Sequence, residues 1–253
     1  MSAVTRGSLG LEGKVALITG GTRGLGLAIA RKLASCGCEI LLNHAGPREQ
    51  AEKAVAALGD AEGRVSLERA DVGTAEGVES LMSRVRDTYG RLDVFVHNAA
   101  SWTPMTALEP DPGAAWQDLA VALTPLLHGA SALARLMPEG GRIIAVSSTG
   151  AHHAVPAYVS LGMAKAALES QVRYLAVELA QHGITVNAVS TAKLDKGQTP
   201  SPPAVTALAA RTPAGRLTVP EDVADVVALL CAPEAAWIQG QVIRADGGLV
   251  LRA

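Results

Sequence analysis

A short apolar strand that runs into a glycine-rich turn and then into a helix is the strongest constraint on the fold of this chain. The strand is Val15–Ile18, and the helix is predicted to run from about Leu25 to Ser35. The glycines between them let the backbone approach a pyrophosphate, and the helix N-terminus offers free N–H groups and a positive dipole end. In this strand–turn–helix context, the turn predicts dinucleotide binding. The predicted cofactor-binding residues of the turn are Gly20, Thr22, Arg23, Gly24, Leu25 and Gly26.

Apolar strands and helices alternate along the rest of the chain. The strands lack polar alternation, which is typical of strands buried on both faces of a parallel sheet. The pattern predicts an α/β fold: a single Rossmann-type domain over residues 1–253, with a doubly wound parallel sheet of about seven strands and helices on both faces. Strands are predicted near 15–18, 40–42, 64–72, 92–97, 142–146, 184–186 and 241–244, and helices near 25–35, 48–58, 75–89, 115–136 and 156–181.

Residues 193–203 form the most loop-like segment of the chain, rich in proline and polar residues. The segment follows the sixth strand, so it is expected at the carboxyl edge of the sheet, where ligands bind in such folds. We predict a substrate-covering loop near 191–213; a plain surface loop is the alternative.

Composition excludes several classes of protein. The chain has 253 residues, is 49% hydrophobic and carries a net charge of −2, which gives no indication of nucleic-acid binding. No apolar run is expected to be long enough to span a membrane, and no secretory signal precedes the first strand. The three cysteines lack metal-ligand spacing, so we expect free thiols, no metal site and a reducing, cytoplasmic location.

The glycine spacing of the turn, TGxxxGxG, resembles that of the short-chain dehydrogenase/reductase family. Other segments are similar to family motifs and extend the resemblance over essentially the whole chain: Asp71-Val72, His97-Asn98-Ala99-Ala100, Val186-Asn187-Ala188-Val189 and Asp246-Gly247-Gly248. The resemblance implies that the cofactor site also includes Asp71, Val72, Asn98, Ala99 and Thr191. It further implies a homotetramer assembled through the two long helices and the C-terminal segment.

The end of the second strand indicates which nicotinamide cofactor is bound. NAD enzymes place a carboxylate there to accept a hydrogen bond from the ribose 2′-hydroxyl. Here the position reads Asn43-His44, with no acidic residue until Glu49. Arg23 is suited to pairing with a 2′-phosphate. The sequence therefore predicts NADPH as the cofactor, with Asn43 and His44 beside it; the alternative is that Arg23 is merely solvated.

The resemblance also implies a catalytic set of asparagine, serine, tyrosine and lysine. Ser148 matches the serine and Lys165 the lysine, but Leu161 stands four residues before the lysine, where the tyrosine is usual. The nearest tyrosine is Tyr158. Seven helical residues span about 700°, so Tyr158 and Lys165 are expected on one helix face, with the tyrosine shifted by roughly 4.5 Å along the axis. Lys165 is expected to hold the nicotinamide ribose and to lower the pKa of Tyr158.

This displacement suits the reduction of a conjugated C=C bond. Hydride then goes to the β-carbon, and the enolate oxygen that needs the proton lies further along the conjugated system. The Tyr-x6-Lys spacing is similar to that of enoyl-acyl-carrier-protein reductases, and with the glycine-rich turn it most resembles the NADPH-dependent type III (FabL-type) enzymes. We therefore expect reduction of an enoyl thioester or polyketide-like substrate, free or carrier-protein-bound, with Tyr158 as proton donor.

Two other functions stay open on the sequence alone. One is a ketone or imine reductase of a secondary-metabolite pathway, with Tyr158 repositioned for a bulky substrate. The other is a non-catalytic NADPH-binding sensor or scaffold, because Ala122 stands where the family asparagine is usual.

Further side chains lie near the predicted site, and most of them have two possible roles. His152 or His153 could donate a proton, although a solvated loop histidine is the simpler interpretation. Trp102 and Met105 could line the pocket or pack structurally. His97 is expected to be a core or cofactor-edge residue.

Overall fold

The computed structural model describes residues 9–59, 64–195, 197 and 203–251. These residues form seven strands and seven α-helices, which alternate except that α6 and α7 both lie between β6 and β7. The strands are β1 (Val15–Ile18), β2 (Glu39–His44), β3 (Val65–Arg69), β4 (Val94–His97), β5 (Gly141–Ser148), β6 (Ile184–Thr191) and β7 (Val242–Arg244). The helices are α1 (Gly24–Ser35), α2 (Arg48–Ala56), α3 (Ala75–Tyr89), α4 (Pro112–Leu136), α5 (Val159–Leu179), α6 (Pro203–Arg211) and α7 (Pro220–Cys231).

The strands form one sheet in the order β3-β2-β1-β4-β5-β6-β7, and every pairing is parallel. Ile18 of β1 pairs with Leu42 on one side and Val96 on the other. The strand order therefore reverses between β1 and β4, which is the topological switch point where ligands bind in such sheets. The predicted doubly wound fold is confirmed.

Consecutive strand residues explain why the sequence shows no polar alternation. Ile18 and Val96 face the core under α1 and α7, whereas Leu17 and Phe95 face the core under α3, α4 and α5. Both sets are fully buried, and each such aliphatic side chain contributes roughly 1.5–3 kcal/mol of burial free energy. Two apolar cores thus hold the sheet and fix the carboxyl ends of its strands.

The predicted start of the fifth helix is wrong. It was expected near Pro156, but α5 begins at Val159, and Tyr158 is the residue that precedes its first turn. Tyr158 has φ −117° and ψ 17°, which are not helical. The expected shared helix face of Tyr158 and Lys165, and the axial shift worked from it, therefore do not apply.

The segment after β6 is not wholly loop. The helix α6 occupies 203–211 of the region predicted as a substrate-covering loop, and α7, which follows, was not predicted. Residues 196 and 198–202 of that region lie outside the described part of the chain.

The expectation that no apolar run has the length of a membrane span is also wrong. By length and composition α4 passes that test, and it is the one helix among the described residues to do so. In the fold α4 packs against α3 and α5, and it buries Asp118 and Leu126. Its apolar character is that of a core helix in this fold.

Candidate active site

A cleft of about 750 Å³ opens at the switch point between β1 and β4. The turn after β1 and the ends of β2, β3 and β4 line it. The cleft brings together most of the predicted cofactor residues: Gly20, Thr22, Arg23, Leu25, Gly26, Asn43, His44, Asp71, Val72, Asn98 and Ala99. Gly24 lines an adjoining cleft together with Arg23 and Leu25. Lys165 and Thr191 lie outside both, and the Thr191 hydroxyl donates to the Ala245 carbonyl at 2.9 Å.

The glycines of the turn are required by close packing. Gly20 has φ +62°, and a Cβ there would lie 2.9 Å from the Ala99 Cα. A Cβ on Gly26 would lie 2.3 Å from the Gly20 carbonyl oxygen. No side chain caps the N-terminus of α1, whose preceding residue is Arg23, and no acidic residue occupies its first turn. Its free N–H groups therefore fit a pyrophosphate.

Asn43 and His44 are buried and bonded to the protein itself. The Asn43 amide donates to the Ala70 carbonyl at 2.9 Å, and its oxygen accepts from the Gly20 N–H at 3.4 Å. His44 Nδ1 lies 3.0 Å from the Gly46 carbonyl. Asn43 thus fastens the glycine-rich turn to the second and third strands. Arg23, by contrast, is exposed and forms no ion pair with any described residue.

His97 is a buried and neutral member of the site. Its Nε2 lies 2.9 Å from the Ala122 carbonyl, and its Nδ1 lies 2.9 Å from Thr19 Oγ1. A carbonyl can only accept, so Nε2 carries the hydrogen and Nδ1 accepts from the threonine. Burial, followed by the charge of Lys165, lowers the His97 pKa to about 3. Both ring nitrogens are therefore occupied, as expected of a core residue at the cofactor edge.

Tyr158 is placed by a loop rather than by helix geometry. Ala157 before it has φ 57°, a left-handed conformation that is uncommon for a residue with a Cβ. The Ala157 carbonyl accepts from Trp102 Nε1 at 3.0 Å and from the Met105 N–H at 3.4 Å. Met105 and Tyr158 also form an isolated parallel bridge. The loop after β4 therefore fixes the direction in which Tyr158 leaves the backbone.

The Tyr158 side chain lies against Ser148 and Gly150. A Cβ on Gly150 would lie 2.6 Å from the tyrosine ring, so only glycine allows this approach. Burial raises the pKa of Tyr158, and a hydrogen bond with the Ser148 side chain opposes that rise. The Trp102 ring lies 5.9 Å from the tyrosine ring, centre to centre. Trp102 also lines the cofactor cleft, so it connects that cleft to Tyr158.

Lys165 is almost completely buried, with 4% of its surface exposed. Its Nζ donates to the Val146 carbonyl at 2.7 Å. Burial lowers the pKa of Lys165 to about 8, against an opposing effect of the Glu169 charge. The expected lowering of the Tyr158 pKa by Lys165 does not appear, because the opposing effect there comes from Ser148. Leu161 is buried beside Ala122 and Ala164, where it has no proton to give.

One polar pair was not recognised in the sequence. Glu169 is buried, and its two carboxylate oxygens lie 2.5 Å from Ser147 Oγ and 2.5 Å from His152 Nε2. His152 was considered only as a proton donor to the pocket or a solvated loop residue. The sequence does indicate that Glu169 needs partners. It lies four residues after Lys165 on a mostly apolar helix face, where a carboxylate is almost never buried unless it is paired.

The cysteines are all buried free thiols. Over the described ranges, no group of three or more histidine, cysteine or acidic side chains lies close enough together to hold a metal ion.

Comparison with known proteins places this site in a family. A family model described as Enoyl-(Acyl carrier protein) reductase matches residues 20–250. The chain belongs to the short-chain dehydrogenase/reductase family. It is 39% identical over 246 residues to 1-cyclohexenylcarbonyl-CoA reductase from Streptomyces collinus, covering 95% of this chain and 88% of that protein.

A second relative and one solved structure match nearly the whole chain as well. The 3-oxoacyl-acyl-carrier-protein reductase FabG from Vibrio cholerae is 33% identical over 248 residues, which cover 96% of this chain and all of that protein. The solved structure of a short-chain dehydrogenase/reductase from Serratia marcescens aligns with a TM-score of 0.87 at 32% identity, covering 94% of this chain and 98% of that one. As a short-chain dehydrogenase/reductase, the chain is an oxidoreductase of a nicotinamide cofactor. Its serine and lysine match the family pattern, its tyrosine is displaced, and Ala122 stands at the asparagine position.

Proposed function

We propose that this reductase uses NADPH to reduce the conjugated C=C bond of an enoyl thioester. The observation that carries the proposal is the position of Tyr158: its side chain bonds to Ser148, whereas Leu161, at the usual tyrosine position, is buried and inert. The match to an enoyl reductase family model, and a relative named for reducing an unsaturated acyl-CoA, support the same chemistry.

The side chains divide the reaction between them. NADPH, when bound, supplies a hydride to the β-carbon. Tyr158 and Ser148 hydrogen-bond the thioester oxygen, on which negative charge develops. Tyr158 donates its phenolic proton to this oxygen, and the resulting enol tautomerises, so that the α-carbon gains a hydrogen and the thioester is restored. The raised pKa of Tyr158 keeps the phenol protonated and able to donate. Trp102, between the cofactor cleft and Tyr158, would form one wall around the acyl group.

Arg23 supports the choice of NADPH over NADH. Its guanidinium is exposed at the mouth of the cleft and has no ion-pair partner among the described residues. The end of β2 offers Asn43 and His44, both bonded internally, rather than a carboxylate. A 2′-phosphate would therefore meet a cation and no opposing acid.

Ketone reduction is the second candidate, favoured by the relatives. The Vibrio cholerae protein is named for reduction of a 3-oxoacyl group, and other relatives are named as naphthol and versicolorin reductases. A ketone bound with its oxygen at Ser148 would also meet the Tyr158 phenol, but its hydride would go to the carbon that bears that oxygen and not to a β-carbon.

Paired substrates and two tyrosine variants test the proposal. NADPH oxidation is followed with a trans-2-enoyl-CoA, 1-cyclohexenylcarbonyl-CoA and a 3-ketoacyl-CoA at matched concentrations. We expect the two enoyl compounds to be preferred. Tyr158→Phe should lower kcat by about 10²–10⁴, the usual worth of a general acid. The control Tyr174→Phe, at an exposed tyrosine of α5, should leave kcat unchanged. Preference for the ketone, or full turnover by Tyr158→Phe, would overturn the proposal.

We also propose a cytoplasmic homotetramer that acts on free or carrier-bound thioesters. Exposed apolar residues on the two long helices support assembly, among them Trp116, Leu127, Tyr174 and Val177. Buried thiols fit a reducing compartment. Sedimentation equilibrium of the purified protein tests the tetramer, and a monomer at micromolar concentration would contradict it.

A further inference from the structure

Three consecutive residues at the end of β5 each contact a different side chain. The three partners are Lys165 and Glu169 of α5 and Tyr158, which immediately precedes α5. The Val146 carbonyl accepts from Lys165, the Ser147 hydroxyl donates to Glu169, and Ser148 bonds to Tyr158. Lys165 and Glu169 are thereby both held against the end of β5, and Tyr158 lies beside Ser148 at the same end. Glu169 lies one helical turn beyond Lys165, where side chains of a helix are neighbours, and its charge acts on the lysine.

His152 connects the buried Glu169 carboxylate to the protein surface. Its Nε2 lies 2.5 Å from the second Glu169 oxygen, while 48% of the imidazole side chain is exposed. The buried carboxylate therefore has a titratable neighbour on each side: Lys165 towards the active site and His152 towards solvent.

His97 is a second titratable neighbour of Lys165, whose charge acts on it. Its Nε2 donates to the Ala122 carbonyl. The other His97 nitrogen is taken by Thr19, and burial keeps the ring neutral. His97 therefore has no free ring nitrogen and carries no proton that it could pass to Lys165.

We propose that Glu169 and His152 form the proton path between solvent and Lys165. The proposal rests on the proposed function, since it needs Tyr158 as proton donor. One proton is taken up for each hydride transferred. The Tyr158 phenolate regains a proton from the Lys165 ammonium, the amine from the Glu169 carboxyl, and the carboxylate from the His152 imidazolium, which solvent reprotonates. Only O–H and N–H bonds form and break.

The charged and titratable groups around the path are few. Lys165 and Glu169 stand on α5, His152 in the turn after β5, and His97 on β4; Ser147 adds a hydroxyl from β5. Because the Glu169 charge raises the pKa of Lys165, removing that charge should lower it. The alkaline limb of the rate profile should then move to lower pH.

Glu169→Gln and His152→Ala test the path, with His153→Ala as the matched control. His153 is the exposed neighbour, and among the described residues its Nδ1 contacts the Thr149 carbonyl at 3.2 Å. The readouts are the pH profile of kcat, the solvent deuterium isotope effect, rescue by added imidazole, and NADPH affinity as a check on folding.

Both path variants should bind NADPH normally and lose on the order of 10-fold in kcat, with KM little changed and a larger solvent isotope effect. The alkaline limb of Glu169→Gln should shift to lower pH. Imidazole should restore His152→Ala but not Glu169→Gln, and His153→Ala should match wild type.

Unchanged kcat and isotope effects in both variants, with Tyr158→Phe inactive, would overturn the path and leave the proposed function standing. Full activity of Tyr158→Phe would overturn the proposed function itself. Should Glu169→Gln not fold, His152→Ala decides alone, since its half-exposed ring can be removed without opening the core. Failure of imidazole to rescue a folded, slowed His152→Ala would count against the path.

Discussion

Replacing Lys165 by methionine should remove a pH-dependent penalty on folding. Burial lowers the pKa of this lysine from 10.5 to about 8 in the folded protein. Below pH 8 both folded and unfolded chains carry the proton, so the buried charge costs stability. Between pH 8 and 10.5 the folded chain releases the proton first, and the unfolded chain binds more protons. The contribution of Lys165 to the free energy of unfolding therefore rises with pH through that window.

The magnitude follows from the size of the shift. At about 1.4 kcal/mol for each pKa unit, the full change is roughly 3 kcal/mol, most of it gained between pH 7 and pH 10. Methionine has a similar shape and no charge, so Lys165→Met should show no such gain. The free energy of unfolding of Lys165→Met, minus that of the wild type at the same pH, should then fall by about 2–3 kcal/mol from pH 7 to pH 10.

Urea denaturation of both proteins at several pH values measures this difference. Other groups also differ in pKa between the folded and the unfolded chain, including Cys38, whose pKa burial raises from 9.0 to about 12. They are common to both proteins and cancel when the variant is compared with wild type at each pH. A difference that stays constant from pH 7 to pH 10 would refute the reasoning, because Lys165 would then have the same pKa folded and unfolded.

Three further substitutions test the backbone and the cofactor cleft. Ala157→Gly should raise the free energy of unfolding by up to ~1 kcal/mol, because the left-handed φ costs alanine about 1–2 kcal/mol. Its kcat should fall, because Tyr158 loses its fixed direction; reduced stability in urea melts would contradict this prediction. Arg23→Ala should weaken NADPH binding roughly 10–100-fold and NADH binding little, by fluorescence titration; equal losses for both cofactors would argue against a 2′-phosphate contact. Gly26→Ala should lower the melting temperature and abolish NADPH binding, because its Cβ would lie 2.3 Å from the Gly20 carbonyl oxygen; wild-type affinity would rule out that clash.

Most of the fold could be predicted because its signals are local. Leu17 and Ile18 are both apolar although they face opposite cores, and that run identifies a strand buried on both faces. The glycines of the first turn mark the cofactor cleft by their spacing, although the contacts that exclude a side chain at Gly20 and Gly26 come partly from Ala99 and Asn98 after β4.

The position of Tyr158 could not be predicted from its own neighbourhood. Pro156 suits the first turn of a helix, so the local sequence favours a helix that already includes the tyrosine. The left-handed Ala157 is instead held by Trp102, 55 residues earlier in the chain. A contact between distant segments thus decides where the helix starts, and no helical periodicity reports it.

Glu169 is a polar signal that the sequence does contain. It interrupts a buried face of α5 that also carries Ala164, Leu168 and Val172. A carboxylate at such a position needs hydrogen-bond partners. Which partners it finds could not be read from the sequence, because Ser147 and His152 reach it from the strand and turn before the helix.

The positions of Tyr158 and Lys165 are set by different parts of the fold. Lys165 is buried and hydrogen-bonded to β5. The direction of the Tyr158 side chain depends instead on the contacts that Trp102 and Met105 make beside it. Changes in the loop after β4 can therefore shift the acid relative to the hydride donor while leaving the lysine and most of the cofactor cleft intact. A duplicated gene could acquire a new acceptor by altering a few residues near 102–105, and directed evolution towards other substrates is best begun there.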